Sequence, residues 1–183
     1  MKKIIVAAFA LVAIATASNS YAQKNPMVGG AAMYSTKDIV DNAVNSKDHT
    51  TLVAAVKAAG LVETLKSAGP FTVFAPTNAA FDKLPEGTVA FLVKPENKAT
   101  LTKILTYHVL AGKYSAADIM KAIKKGNGKA AFTTVEGGML YASMEDGKVK
   151  LWDENGGTAF VTIADVNQKN GVIHVIDSVV TPK

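Results

Sequence analysis

The spacing of apolar residues changes at Lys129, and this change constrains the fold more than any other feature of the sequence. Before it, apolar residues recur at helical intervals, as in "TKDIVDNAVNS" from Thr36 and "TTLVAAVKAAG" from Thr50. After it, short strand-like runs are separated by glycine-containing turns, of which Asp146-Gly147 is the strongest hairpin signal. Helices followed by a meander of short strands predict an α+β fold with a mainly antiparallel sheet system.

Several local signals refine the helical part. "FTVFAPT", Phe71 to Thr77, predicts a buried strand, and "YHVL", Tyr107 to Leu110, predicts another. Thr50 or Thr51 can cap one helix, and Thr77 another. "SAADIMKAIKKG" predicts a helix that Ser115 caps and Gly126 ends. We interpret the lysines near residues 121–129 as favourable partners of that helix's C-terminus and not as a binding patch.

The first residues indicate export. Two lysines precede an apolar run from Ile4 to Ala15, which is followed by small residues up to Ala22. This pattern is typical of a bacterial secretory signal peptide, residues 1–22, and the apolar run is too short to anchor the chain in a membrane. We expect a secreted protein, periplasmic or extracellular after cleavage. Residues 23–35 predict an N-terminal extension or linker, and residues 36–183 predict one domain.

Charge and composition exclude some classes of function. All basic residues are lysines, and removal of Lys2 and Lys3 with the signal peptide lowers the formal net charge from +5 to +3. Without arginine the chain lacks the bidentate group that reads guanine and grips phosphate, so nucleic acid is not an expected partner. The chain has no cysteine, and its stability must therefore come from packing.

Three stretches together resemble the fasciclin (FAS1) domain family: "FTVFAPTNAAF" at 71–81, "LTKILTYHVLAG" at 101–112 and "NGVIHVIDSVVTP" at 170–182. They match, in order and separation, the two sequence boxes and the central Tyr-His element of that family. The resemblance covers residues 36–183. It implies a β-sandwich-like wedge of mainly antiparallel strands flanked by several helices, in a bacterial secreted single-domain member.

The resemblance also implies a function. Fasciclin domains are adhesion and extracellular interaction modules without a general enzymatic activity, so we expect no enzyme, no cofactor and no catalytic or metal site. The expected partner is a cell-surface or extracellular matrix protein or polysaccharide, bound by a monomer. Residues of the family motif are Tyr107, His108, His174 and Asp177. In animal members the Tyr-His pair is linked to integrin binding, but the acidic residue upstream has no counterpart in "ATLTKILTYH", so that role is not transferred.

The polar residues of the last stretch do not form a catalytic pair. On a regular strand, His174 shares a face with Val172 and Ile176, whereas Asp177 shares the other face with Val175. We expect His108 and His174 to satisfy buried partners. A metal site built from two histidines and a carboxylate stays open, although the sequence has no HExxH motif and no calcium loop.

A second class of function also stays open, a carrier of an apolar, carotenoid-like or lipid-like small molecule. Some fasciclin relatives in photosynthetic organisms hold carotenoids. The adaptable side chains that could line such a site here are Met33, Met120, Met139, Met144, Tyr141 and Trp152. Methionines and aromatic residues are more often plain core, so the interaction module is the favoured prediction.

Overall fold

A computed structural model describes residues 25–183. The predicted signal peptide, residues 1–22, lies outside the described residues. Within residues 25–183, no helix is both long and apolar enough to cross a membrane.

Helices occupy the first two thirds of the described chain, and most strands follow them, as the change of period predicts. The α-helices are α1 (Ile39–Ala43), α2 (Thr50–Ala59), α3 (Val62–Lys66), α4 (Asn78–Asp82), α5 (Thr88–Leu92), α6 (Lys98–Tyr107) and α7 (Ala116–Lys125). The strands are β1 (Met27–Val28), β2 (Ala31–Ala32), β3 (Phe71–Pro76), β4 (Val109–Ala111), β5 (Lys129–Thr133), β6 (Met139–Glu145), β7 (Lys148–Trp152), β8 (Thr158–Gln168) and β9 (Gly171–Ile176).

Seven of these strands form one sheet in the order β4-β3-β9-β8-β7-β6-β5. Only the β3–β9 pair in this sheet is parallel, so the prediction of an α+β fold with a mainly antiparallel sheet system is confirmed. Strand β8 pairs with β7 at its start and with β9 further along, and its register shifts twice between Val161 and Val166. Bulges bend a strand, so the sheet folds along β8 into a wedge.

Two hydrophobic cores lie on the two faces of β3 and β9. Val73, Ala75, Ile173 and Val175 face the helices α1 to α6, and this set of contacts is the helical core. Phe74 and Ile176 face the other way, toward α7 and the inner face of β5 to β8, and this set is the wedge core. Both strands are therefore covered on both faces, which explains why they read as nearly continuous apolar runs.

The structure differs from the sequence prediction at the N-terminal extension. Residues 27–32 form a short antiparallel hairpin, and Val28 and Met33 are buried in the helical core. Gly29 has a φ of +57°, and a Cβ atom there would lie 2.3 Å from Oγ of Ser46. The extension thus packs on the helical core through Val28 and Met33, and the sequence does not signal this because two isolated apolar residues carry no periodic pattern.

Local capping signals are correct where the partner lies three residues away. The hydroxyl groups of Thr77 and Ser115 accept hydrogen bonds from the backbone N–H groups of Ala80 and Asp118, and Asp118 completes a capping box. The Asp146-Gly147 turn joins β6 to β7 with φ values of +49° and +75°. Both values are positive, as a type I′ hairpin requires.

Two local predictions are wrong. Tyr107 is the last residue of α6 and not the start of a strand, since β4 begins only at Val109. Neither Thr50 nor Thr51 caps α2 with its side chain. The cap comes instead from Asn78 in α4, whose Oδ1 accepts a hydrogen bond of 3.0 Å from the backbone N–H of Thr51. A cap supplied from 27 residues away leaves no local sequence signal.

Candidate functional site

Tyr107, the first residue of the family motif, is completely buried in the wedge core. Its hydroxyl group donates a hydrogen bond of 2.5 Å to the carbonyl oxygen of Met139 in β6. Burial raises the pKa of Tyr107 to about 12, and the backbone of Glu154 opposes this rise only in part. The phenol therefore stays protonated at neutral pH and ties α6 to the meander of strands.

His108 follows Tyr107, but its ring lines cavities on the helical side of the sheet. Nε2 accepts a hydrogen bond of 3.2 Å from the backbone N–H of Val180, so the ring proton is on Nδ1, which donates to the carbonyl oxygen of Ile104 at 2.9 Å. Burial lowers the pKa of His108 to about 4. The imidazole is a neutral bridge between α6 and the C-terminal segment.

His174 lies in β9 and faces the wedge core. Its Nδ1 accepts a hydrogen bond of 3.3 Å from the backbone N–H of Asp165, and its Nε2 therefore donates to the carbonyl oxygen of Tyr114 at 2.8 Å. The ring also stacks on Phe74, with centroids 5.6 Å apart. Burial lowers the pKa of His174. The side chain thus holds the bend of β8 and the loop before α7 against β9.

Asp177 comes directly after β9. Its Oδ1 accepts a hydrogen bond of 2.8 Å from the backbone N–H of Phe160, and its own N–H donates to the carbonyl oxygen of Phe160 at 3.2 Å. Its Oδ2 lies 3.8 Å from Nζ of Lys83. The carboxylate therefore closes the end of β9 against the start of β8.

These four residues are not assembled into one site. Tyr107 and His174 face the wedge core, His108 faces the helices, and Asp177 lies at the end of a strand. His174 and Asp177 have different hydrogen-bond partners. Both nitrogens of His108 and of His174 are already engaged in hydrogen bonds with backbone groups, which leaves no lone pair free to bind a metal or to act as a base. Tyr107 and His108 are buried, so neither side chain contacts a partner directly in this structure.

Sequence reasoning missed His49, which is 3% exposed and lines an apolar cavity of about 80 Å³ in the helical core. Its Nδ1 lies 2.8 Å from Oγ of Ser46, whereas Nε2 has no hydrogen-bond partner in the described part of the chain. Burial lowers the pKa of His49. The backbone of Ala75 lies near the ring and partly offsets this lowering of the pKa, although it forms no hydrogen bond of normal geometry with Nε2. Whether Nε2 of His49 has a partner depends on elements that are distant in sequence, so no local pattern predicts that this nitrogen is unpaired.

The side chains predicted to line a carrier site do not form one site. Met33 lines the cavity, but Met120 and Met144 are 39% and 41% exposed. Tyr141 and Trp152 stack on each other, with ring centroids 5.5 Å apart, at the sheet surface. The cavity that Met33 lines is otherwise formed largely by aliphatic residues such as Leu52 and Val56 of α2.

Asn170 is a second residue whose importance the sequence does not reveal. Its side chain accepts a hydrogen bond of 3.1 Å from the N–H of Ile39, and it donates to the carbonyl oxygens of Leu65 and Ser67 at 2.7 and 2.9 Å. One buried amide thus joins the turn before β9 to the start of α1 and the end of α3. The Asn170-Gly171 pair predicts only the turn.

Replacement of Asn170 by alanine is expected to lower the free energy of unfolding by about 2 kcal/mol, because a buried N–H group and two carbonyl groups lose their partner. Urea denaturation followed by circular dichroism measures the change. Asn45→Ala is the matched control, since the exposed amide of Asn45 donates only one hydrogen bond, to the carbonyl oxygen of Asp41. Equal effects of the two substitutions would contradict the role given to Asn170.

Comparison with known proteins places this architecture in a family. A model of the fasciclin domain matches residues 47–182, and the chain therefore belongs to the fasciclin family. Protein sll1483 of Synechocystis sp. is 48% identical over 92% of this chain and 87% of its own length. The cell surface glycolipoprotein MPB83 of Mycobacterium bovis is 34% identical over 88% of this chain and 69% of its own length.

A solved structure shows the same fold. The FAS1 domain pair from the insect cell adhesion molecule Fasciclin I superposes with a TM-score of 0.69, at 19% sequence identity. The match covers 78% of this chain and 50% of that one. The wedge of strands with flanking helices is therefore the FAS1 fold, as the resemblance of the three sequence stretches implies.

Proposed function

We propose that this protein is an exported, non-enzymatic interaction module that binds a cell-surface or extracellular protein or polysaccharide. The observation that carries the proposal is that the polar groups of Tyr107, His108 and His174 all form internal hydrogen bonds. The motif then maintains the domain, and recognition falls to its surface. A family relative described as a cell surface glycolipoprotein supports this assignment.

A pull-down with outer-membrane and extracellular fractions tests the proposal. We expect saturable retention of a surface component that is bound and not converted. Loss of residues 1–22 leaves a formal net charge of only +3. Raising the salt concentration should therefore weaken binding modestly, and not by the ~10³-fold or more of proteins that neutralise many phosphates. A heat-denatured sample is the control, and an absence of saturable retention would contradict the proposal.

A carrier of an apolar small molecule is the second candidate, favoured by one observation. The helical core contains the cavity of about 80 Å³ and the unpaired Nε2 of His49 beside it. This volume is below the ~150 Å³ of a cavity that admits benzene, so a carotenoid-like or lipid-like ligand would require the helices to move apart. An absorbing or lipid-loaded protein, found by absorbance and native mass spectrometry of material from its own source, would favour the carrier.

A further inference from the structure

The outer face of strands β5 to β8 is open. Inward residues such as Leu140, Leu151 and Ala159 are fully buried in the wedge core, whereas the outward residues of all four strands are exposed or half-buried. Nothing in residues 25–183 packs over this face closely enough to bury it. A bare sheet face that carries large aromatic side chains is a feature of interaction surfaces.

Strand register places two aromatic side chains of this face, Tyr141 and Trp152, next to each other in one row. Ala131, Tyr141, Trp152 and Thr158 are successive cross-strand partners from β5 to β8. The Tyr141 and Trp152 rings are 5.5 Å apart and inclined by only 14°, so they stack as a pair. We name this row the aromatic row. Both rings are half-buried, so each keeps part of its surface open to solvent beside the small residues Ala131 and Thr158.

The next row along the strands is cationic. Lys129, Ser143, Lys150 and Phe160 are successive partners across the same four strands. Rows of side chains on one face are about 7 Å apart, since each strand advances about 3.3 Å per residue. Nζ of Lys129 lies 6.0 Å from the Trp152 ring centroid, and Nζ of Lys150 lies 5.8 Å from that of Phe160. We name this row the lysine row.

The formal charge of the whole face is positive. The charged side chains of β5, β6 and β7 on this face are Lys129, Lys148, Lys150 and Glu145, a net charge of +2, and the carboxylate of β8, Asp165, is engaged by the backbone N–H of Ala116. Glu145 lies 2.7 Å from Nζ of Lys150 and competes with any external anion for that ammonium group. Charge complementarity therefore points to an anionic occupant.

We propose that the aromatic and lysine rows together form a binding surface for an acidic polysaccharide, a chain of sugars that carry carboxylate or sulfate groups. Each such sugar has an apolar C–H face that packs on aromatic rings and an anionic group that binds an ammonium group. The two rows present these two complements side by side and in parallel. A protein partner would typically insert an anchoring side chain into a concave, enclosed pocket, whereas this face is an open sheet. The inference rests on the proposed function and names its partner class and its surface.

The chain itself supplies the probe for this surface. Trp152 is the only tryptophan, so tryptophan fluorescence, excited selectively over that of the tyrosines, reports on the aromatic row. Titration of the purified protein with polygalacturonate, with neutral dextran as the control polymer, is expected to give a saturable fluorescence change only with the acidic polymer. We expect Tyr141→Ala to weaken binding about tenfold. Lys129→Gln should weaken it severalfold and reduce its salt dependence by about one released counterion.

Two further variants make the test specific. Tyr34→Ala is the control, because Tyr34 is an exposed tyrosine outside the sheet face and has a lysine, Lys37, over its ring, 5.2 Å from the centroid. It should leave binding unchanged. Glu145→Gln frees Lys150 from its internal partner and is expected to tighten binding about twofold to fivefold. Circular dichroism verifies that each variant is folded.

The outcomes separate this inference from the proposed function. No saturable binding of polygalacturonate, or binding that Tyr34→Ala weakens as much as Tyr141→Ala, would overturn the assignment of the surface. Retention of a surface protein that Tyr141→Ala and Lys129→Gln leave intact would also overturn it, while the interaction module would stand. Binding of polygalacturonate that depends on both rows would support it, even if the pull-down retains nothing.

Discussion

The free energy of unfolding is expected to fall by about 3 kcal/mol when the pH is lowered from 6.5 to 4. Burial holds the pKa of His108 at about 4 in the folded protein, against 6.5 for an ordinary histidine. Between these values the unfolded chain binds a proton that the folded chain excludes, so stability is complete above pH 6.5 and is lost as the pH falls toward 4. Each pH unit of this window corresponds to about 1.4 kcal/mol.

The other two histidines act in the same direction, because burial also lowers the pKa values of His49 and His174. Carboxylates act in a different window. Hydrogen bonds to Lys66 and Ser115 lower the pKa values of Asp41 and Asp118 below 3.8, so their stabilising contributions are lost only as the pH falls further. The loss between pH 6.5 and 4 is therefore assigned to histidine.

Urea denaturation at pH 6.5 and pH 4 measures this loss. His108→Gln is the informative variant, since the glutamine amide offers an N–H donor and an oxygen acceptor but does not titrate. It should be less stable than the wild-type protein at pH 6.5 and should lose less stability on acidification. An unchanged pH dependence in this variant would show that His108 is not the group that titrates.

Replacement of Tyr107 by alanine is expected to lower the free energy of unfolding by about 3–5 kcal/mol, as for other large buried aromatic residues. The side chain is completely buried in the wedge core, so its removal leaves a cavity between α6 and β6 and an unpaired carbonyl oxygen at Met139. Small domains have only about 5–15 kcal/mol to lose, and Tyr107→Ala is thus close to unfolding the protein. Thermal denaturation followed by circular dichroism measures the effect.

Tyr107→Phe separates the packing contribution from the hydrogen bond. It keeps the ring and removes only the hydroxyl group that donates to Met139, so we expect a loss of about 1 kcal/mol. Tyr34→Ala, at a tyrosine that is 43% exposed, should cost less than either change. If Tyr107→Phe proved as damaging as Tyr107→Ala, the hydrogen bond and not the packing would dominate.

These expectations change how the family motif is understood. Tyr107 and His108 are adjacent in sequence, yet they face opposite sides of the sheet and serve the two different cores. The internal hydrogen bonds of these two residues therefore stabilise two different parts of the domain. The surface proposed for recognition uses Tyr141 and Trp152 instead, which lie outside all three family stretches.

The sequence by itself determined the features whose physical causes are local. The change of period at Lys129 separates helices from strands because amphipathic spacing is a property of a few consecutive turns or residues. Thr77 and Ser115 cap their helices through side chains that reach a backbone N–H group three residues on. The Asp146-Gly147 turn follows from the positive φ values that such residues adopt readily.

Only the tertiary structure decided the features that join distant parts of the chain. His108 is paired with Val180, Asn170 with Ile39 and Leu65, and Asn78 caps a helix that precedes it by 27 residues. The aromatic row exists because hairpin register places Tyr141 opposite Trp152. Hydrogen bonds and ring contacts depend on positions within a few tenths of an ångström, and only the packing of whole elements sets those positions for residues that are far apart in sequence.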